Sequence, residues 1–178
     1  MAKNDNIHAI RFYNSLCRLN EEAAAKFAEV HPLSKSADHR KKFRWAQEQC
    51  EFLEENFSPE EVEEVRSRCH CEAPGTLAKR MRRYLQDTDN LEEFAAQFNA
   101  KEKYVTLEAA PDGLLLCYPE CYCACVRRAE EPISRTWCLC TLGHVKSLFY
   151  QVLDREVEVR LLESIKTGGT RCVVQVKI

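Results

Sequence analysis

Cysteine is the residue type in this chain with the widest chemical potential, and it is concentrated in one region. Four cysteines lie within "CYPECYCACV" (Cys117–Val126), and two more, Cys138 and Cys140, follow in "WCLC". Thiols at this density can form disulfides, bind a metal, carry out redox chemistry or fill an apolar core. The cellular compartment, the spacing of the cysteines and the residues beside them help to decide between these four uses.

Disulfides are disfavoured by the number of cysteines and by the N-terminus. The chain has eleven cysteines in 178 residues, an odd number that cannot all pair within one chain. The opening "MAKNDNIHAI" has no apolar run of signal-peptide length, and no stretch approaches the roughly 18 apolar residues that span a bilayer. We therefore predict a cytoplasmic protein without a membrane partner, whose thiols are kept reduced.

Three Cys-x-Cys pairs predict a metal site. In an extended segment residues i and i+2 point to the same face, so both thiols of a pair can reach one ion. Two pairs together complete a tetrahedron of thiolates, which suits zinc first and an iron–sulfur cluster second. Cys125 could replace Cys121 as the neighbour of Cys123 in such a pair. The predicted ligands are Cys121, Cys123, Cys138 and Cys140, with Cys69 and Cys71 supplied by the helical part of the chain.

Thiol redox chemistry at the same cysteines is the alternative interpretation. A reactive thiolate needs a lowered pKa, which a nearby cation or a Cys-x-x-Cys arrangement provides. The chain has no Cys-x-x-Cys, although Arg127 and Arg128 follow Cys125 closely. The sequence thus favours a metal- or ligand-sensing module over a turnover enzyme, with a thiol-dependent oxidoreductase as the alternative.

Several other thiols and one histidine have plainer explanations. Cys17 and Cys50 each fall on an apolar helix face and are expected to fill core space. His70 lies between two cysteines but would point away from them in an extended segment. The roles of Cys117, Cys125 and Cys172 are left open.

Charge excludes nucleic acid as an expected partner. The net charge is −2 and the isoelectric point is near 6.2, so no global basic field is present. The basic run "KRMRR" (Lys79–Arg83) is expected to be a solvated helix face or a contact for an acidic partner. Whether the chain dimerises is left open.

The first hundred residues show helical periodicity in one segment after another. "SPEEVEEVRSRC" is typical of a helix start, with Ser58 as N-cap, Pro59 at the first helical position and Glu61 completing a capping box. Asp89 is predicted to cap the helix in "DNLEEFAAQF". We expect a helical domain over residues 1–100.

After residue 100 the pattern changes to short strands. "KYVTLEAA" and "GLLLCYP" flank the turn signal Pro111-Asp112-Gly113, and "SRTWCLCTL" is predicted as a third strand. A helix in "HVKSLFYQVL" follows Gly143, and "REVEVRLLESI" and "RCVVQVKI" are strands around the Gly168-Gly169 turn. The predicted fold class is α+β: an N-terminal helical part, then an antiparallel sheet with one packed helix in a cysteine-rich domain over residues 101–178.

The C-terminal sequence resembles the end of the vinyl-reductase-type small-molecule-binding domain over roughly residues 135–178. The resemblance consists of a glycine-led helix, a Val-x-Val strand, a Gly turn, and a Cys before a short apolar strand. Ser164 stands where that family often has a cysteine. The matching positions are Gly143, Val157, Val159, Gly168 and Cys172.

Most of the chain is also similar to a group of uncharacterised bacterial proteins with a "CYPxCYC…WCxC…GG…C" tail. The first resemblance implies a pocket for a small apolar ligand between sheet and helices. Side chains that could line such a pocket are Leu142, Leu148, Phe149 and Leu153, although core packing explains them equally well.

Overall fold

The computed structural model describes residues 4–71 and 75–178, and within them the chain forms eight α-helices, a short 3-10 helix and four strands. The α-helices are α1 (Ile7–Cys17), α2 (Glu21–Val30), α3 (His39–Asn56), α4 (Pro59–Arg68), α5 (Gly75–Gln86), α6 (Leu91–Lys101), α7 (Arg135–Cys138) and α8 (Cys140–Leu153). The strands are β1 (Thr106–Ala110), β2 (Gly113–Tyr118), β3 (Glu158–Glu163) and β4 (Cys172–Lys177), and the 3-10 helix is Ile165–Thr167.

The strands form one antiparallel sheet in the order β1-β2-β4-β3. Six helices precede the sheet and the long helix α8 is inserted between β2 and β3, so the predicted α+β class is confirmed. Within the sheet, the central strands β2 and β4 supply most of the buried aliphatic side chains. These buried residues are Leu114, Leu116, Val173, Val174 and Val176.

Local capping signals set several helix starts. Ser58 accepts a hydrogen bond from the Glu61 backbone N–H, and the Glu61 carboxylate accepts one from the Ser58 N–H, so the predicted capping box is confirmed. The predicted cap at Asp89 is wrong. Asn90, in extended conformation directly before α6, accepts from the Glu93 N–H instead. The sequence also predicts a short helix in "APGTLAKRMRRYL", whose first two residues, Ala73 and Pro74, lie outside the described residues.

The strand predicted for "SRTWCLCTL" is wrong, because this segment is helical. The Ser134 side chain accepts from the Thr136 N–H and starts α7, and α8 begins directly afterwards at Cys140. Gly143, predicted to precede the helix, lies buried inside α8. β-branched and aromatic content predicted a strand, but the N-cap and the tertiary environment selected a helix.

The chain divides into two compact units that alternate along the sequence. Apart from undescribed residues, the first comprises residues up to His70 together with Tyr122–Cys140, and the second comprises Cys71–Cys121 and Thr141–Ile178. The predicted division after residue 100 does not coincide with these units, and as a statement about domains it stays a prediction.

The first unit is organised around packed aromatic rings. Phe12 and Phe27 meet edge to face with their centroids 5.0 Å apart, and Trp45 meets Trp137 at 6.1 Å. All four side chains are below 5% exposed. Edge-to-face pairs of this kind add about 1 kcal/mol each beyond the apolar area that they bury. In the described parts of the chain, no helix has both the length and the apolarity needed to cross a membrane.

A glycine substitution tests the β1–β2 turn. Gly113 has φ +142°, and a Cβ there would clash with the Val176 carbonyl and lie 2.9 Å from the Ile178 nitrogen. We expect Gly113→Ala to lower the free energy of unfolding by about 3 kcal/mol, through backbone strain and the clash. The measurement is urea denaturation at equilibrium.

Gly168→Ala is the matched control. Gly168 also has a positive φ, +95°, but a Cβ there meets nothing within 4 Å. Strain alone should cost about 1 kcal/mol. Equal losses for the two variants would contradict the proposed close approach at Gly113.

Candidate functional site

The first unit buries a guanidinium, that of Arg66 in α4, which is 2% exposed. Its Nη1 donates to Gln49 Oε1 at 2.8 Å, its Nε to the Thr136 carbonyl at 3.2 Å, and its Nη2 to the Trp137 carbonyl at 2.6 Å. The guanidinium carbon also lies 4.4 Å from the centroid of the Trp137 ring, in cation–π contact. Arg66 thus ties α3, α4 and α7 together.

No carboxylate of the described residues forms an ion pair with Arg66. A buried charge without a counter-ion costs several kcal/mol, and arginine does not relieve that cost by deprotonating. Burial alone would lower the pKa of Arg66, but negative charge on neighbouring sulfurs raises it. Those sulfurs belong to Cys69, Cys140, Cys50 and Cys123. A thiolate on any of these four residues would act as a counter-charge to Arg66.

Three of these four thiols are held in the neutral form. Desolvation raises the pKa of Cys50 to about 12 and that of Cys140 to about 12, against the opposing attraction of Arg66. Desolvation also raises the pKa of Cys69, whose S–H donates to the Val65 carbonyl at 3.2 Å. At neutral pH these three sulfurs carry their protons.

Cys123 differs from them because hydrogen-bond donors converge on its sulfur. The pKa of Cys123 is lowered to about 6, first by a hydrogen bond from the Cys125 side chain and against the effect of desolvation. The Trp137 indole N–H donates to the same sulfur at 3.3 Å, and the backbone N–H groups of Cys125 and Val126 add to the effect. Donors to the charged form stabilise it, so this environment favours the thiolate of Cys123.

A tight turn positions Cys123 and Cys125. The Val126 N–H and the Arg127 N–H both donate to the Cys123 carbonyl, at 3.2 and 2.9 Å. Cys125 is 2% exposed, whereas Cys123 is half-buried. The hydrogen bond to Cys123 and then desolvation raise the pKa of Cys125 above its usual range, so Cys125 keeps the proton that the two sulfurs share.

The indole that reaches Cys123 is itself fixed on several sides. Trp137 is 2% exposed, in edge-to-face contact with Trp45 and in contact with the Arg66 guanidinium. Its helix α7 begins at Ser134, whose hydroxyl also donates to the Glu54 carboxylate. A donor with so little freedom loses little entropy when it bonds the sulfur.

The first unit collects four of the six predicted metal ligands, Cys69, Cys123, Cys138 and Cys140, and the second unit contains Cys71 and Cys121. The same-face geometry expected of Cys-x-Cys is wrong for "WCLC". Cys138 ends α7 and Cys140 begins α8, on helical backbone where residues i and i+2 point about 200° apart.

Among the described residues, no group of three or more His, Cys, Asp or Glu side chains is arranged to hold a metal ion. Cys71 is exposed, and its carbonyl accepts from His144 Nδ1 at 2.8 Å. Every cysteine lies in the described ranges, and no disulfide joins any two of them. The ligand set of six cysteines therefore stays a prediction.

Sequence reasoning missed Arg66, Trp137 and Gln49 as components of the site. One signal was available: Arg66 follows Val62 and Val65 on the buried face of α4 at helical spacing and precedes Cys69 by three residues. A charged residue on an apolar helix face marks a buried charge. Nothing in the sequence indicates that the Trp137 indole would point at Cys123.

Fold and site together define an α+β chain with a thiolate, a thiol and an unpaired guanidinium in one buried neighbourhood. The chain belongs to the family of unknown function DUF6144, whose model matches residues 1–178. This confirms the predicted likeness to an uncharacterised group over most of the chain. No curated protein matches the chain, and the resemblance to the vinyl-reductase-type domain gains no support.

One solved structure similar to this chain is the crystal structure of an H-NOX protein from S. oneidensis in the Fe(II)NO ligation state. The identity is 12%, the TM-score is 0.44, and the alignment covers 97% of this chain and 99% of that chain. This TM-score is too low to establish a shared fold.

Substitution of Arg66 tests its part in holding the first unit together. Arg66→Met removes three hydrogen bonds: Gln49 Oε1 and the Trp137 carbonyl lose Arg66 as a donor, and the Thr136 carbonyl keeps the Leu139 N–H. We expect the free energy of unfolding to fall by about 3 kcal/mol. Urea denaturation followed by tryptophan fluorescence measures the loss.

Arg68→Met, on the same helix, is the control. Arg68 is exposed and pairs with Glu64 one turn away, a contact that contributes about 0.4 kcal/mol. A similar loss of stability in the two variants would contradict the assignment of Arg66 as the residue that connects α3, α4 and α7.

Proposed function

We propose that this chain is a thiol-dependent redox protein and that Cys123 is its reactive thiolate. One observation carries the proposal: the Trp137 indole N–H donates to the half-buried Cys123 sulfur at 3.3 Å, and the Cys125 side chain and the backbone of Cys125 and Val126 also lower the pKa of that sulfur. A neutral thiol is a weak acceptor and does not need so many donors, whereas a thiolate does. The thiolate is the nucleophilic form of cysteine.

The lowered pKa of Cys123 determines how much of this cysteine is ionised at neutral pH. A Cys123 pKa of about 6 leaves most of the population ionised at pH 7, whereas the ordinary value of 9.0 would leave about 1% ionised. The raised pKa values of Cys50 and Cys140 keep those sulfurs unreactive under the same conditions. Reactivity is thereby confined to one of several neighbouring cysteines.

Arg66 and Trp137 have distinct functions in this proposal. Arg66 is a permanent positive charge close enough to Cys123 for the two charges to attract. Trp137 makes contact with both groups, through its ring to the guanidinium and through its N–H to the sulfur. The guanidinium and the indole therefore stabilise the thiolate without either being consumed in the reaction.

The positive charge of Arg66 also favours this proposal over metal binding at the same sulfurs. A dication held by Cys69, Cys123 and Cys140 would lie beside a guanidinium that attracts the same sulfurs. Like charges in a low-dielectric interior repel strongly. Zinc or another soft metal at the predicted cysteines, and a small apolar ligand near Leu148 and Phe149, remain predictions from the sequence.

The pH dependence of alkylation tests the proposed thiolate. The alkylation rate follows the thiolate fraction, so it should rise from pH 5 and level off above pH 7, with a midpoint near 6. Trp137→Phe removes one donor to the charged sulfur and should raise the midpoint by about one pH unit, since such a hydrogen bond contributes about 1.5 kcal/mol. Iodoacetamide labelling of Cys123, quantified by peptide mass spectrometry, gives both profiles.

Trp45→Phe is the control for this substitution. The Trp45 indole N–H donates to the His31 carbonyl at 2.9 Å and not to a sulfur. Loss of that indole should leave the midpoint near pH 6. The proposal is wrong if Cys123 labels with a midpoint near 9, or if a different cysteine labels first at pH 6.5.

Metal content tests the alternative. If the six predicted cysteines bind zinc, purified protein should contain close to one equivalent by elemental analysis, and chelation should lower the melting temperature because binding contributes to folding. A metal-free protein with an unchanged melting temperature in chelator would exclude that alternative. A brown colour would indicate an iron–sulfur cluster instead.

A further inference from the structure

We propose that Cys125 is the second catalytic thiol of this site, and that it closes a disulfide with Cys123 after a small disulfide substrate has reacted there. The inference rests on the proposed redox function of Cys123. It adds the residue that completes the reaction, the class of co-reactant and the order in which the two sulfurs act.

Cys125 is selected because it lies two residues from Cys123 and its side chain interacts with the Cys123 sulfur. The two residues belong to one turn, which the Val126 and Arg127 N–H groups close onto the Cys123 carbonyl. A disulfide places its two sulfurs about 2.05 Å apart, so the reaction needs the two side chains to move together within this turn.

The reaction balances with a disulfide as the oxidant. The Cys123 thiolate attacks R–S–S–R, a protein–S–S–R bond forms, the R–S–S–R bond breaks, and R–S⁻ leaves. The Cys125 sulfur, having lost its proton to solvent, attacks Cys123 Sγ and expels the second R–S⁻. The protein dithiol is oxidised to a disulfide, and the substrate is reduced to two thiols.

Exposure sets the order of the two steps. Cys123 is half-buried and its neighbours Tyr122 and Ala124 are exposed, whereas Cys125 is 2% exposed. A substrate from solvent therefore reaches Cys123 and not Cys125. The second step happens within the turn, so no substrate has to reach Cys125 from solvent.

Cys140 is the competing candidate, because it lies in the same electrostatic neighbourhood as Cys123. Two features make Cys140 a weaker candidate than Cys125. Its influence on Cys123 is through charge rather than through a hydrogen bond between the two sulfurs, and its own thiol is strongly desolvated. Cys140 also begins a 14-residue helix, whose backbone restricts its approach.

Disulfide mapping with oxidised glutathione as the probe tests the inference. Chymotryptic cleavage after Tyr122 and Trp137 gives a peptide, residues 123–137, that contains only Cys123 and Cys125. In the oxidised wild-type protein this peptide should be two hydrogens lighter, with about two glutathione thiols released per chain. Cys125→Ser should instead retain one glutathione on Cys123, and Cys140→Ser should behave like wild type.

The remaining outcomes distinguish a failure of the proposed role of Cys125 from a failure of the proposed function of Cys123. A wild-type protein that keeps glutathione on Cys123, or that joins Cys123 to Cys140, overturns the role of Cys125 and leaves the proposed function standing. A wild-type protein in which Cys123 does not react with oxidised glutathione overturns both. The wild-type measurement decides the pairing even if a serine variant does not fold.

Discussion

A buried guanidinium that has no carboxylate partner among the described residues is the constraint around which the first unit is built. Arginine stays protonated at any physiological pH, so the fold must accommodate the charge of Arg66 rather than remove it. It does so with two backbone carbonyls, one side-chain amide oxygen and the face of an indole. These four contacts fix the short helix α7 against α3 and α4.

The same charge divides the surrounding thiols into two kinds. Desolvation dominates at Cys50, Cys69 and Cys140, and their pKa values rise in spite of Arg66. At Cys123 the balance reverses, because hydrogen-bond donors outweigh desolvation. The difference between a core thiol and a reactive thiolate therefore lies in the number of local donors, since all four share the guanidinium.

Sequence signals were most reliable where structure is local. The capping box at Ser58, the hairpin around Gly113 and the paired strands β3 and β4 all follow from residues within a few positions of one another. The helix in "WCLC" could not be predicted from nearby residues, because its apolar and aromatic side chains suit a strand equally well. Burial of Trp137 among Trp45 and Arg66 selected the helix, and those contacts span about 70 to 90 positions of the chain.

By itself the sequence determined the α+β class, the concentration of thiols and the two chemistries open to them, because composition and periodicity are visible along the chain. Only the tertiary structure decided which thiol ionises. The pKa of Cys123 depends on an indole 14 positions away along the chain. Electrostatic and hydrogen-bond effects act over distances of a few ångströms in space, and separation along the chain does not reveal those distances.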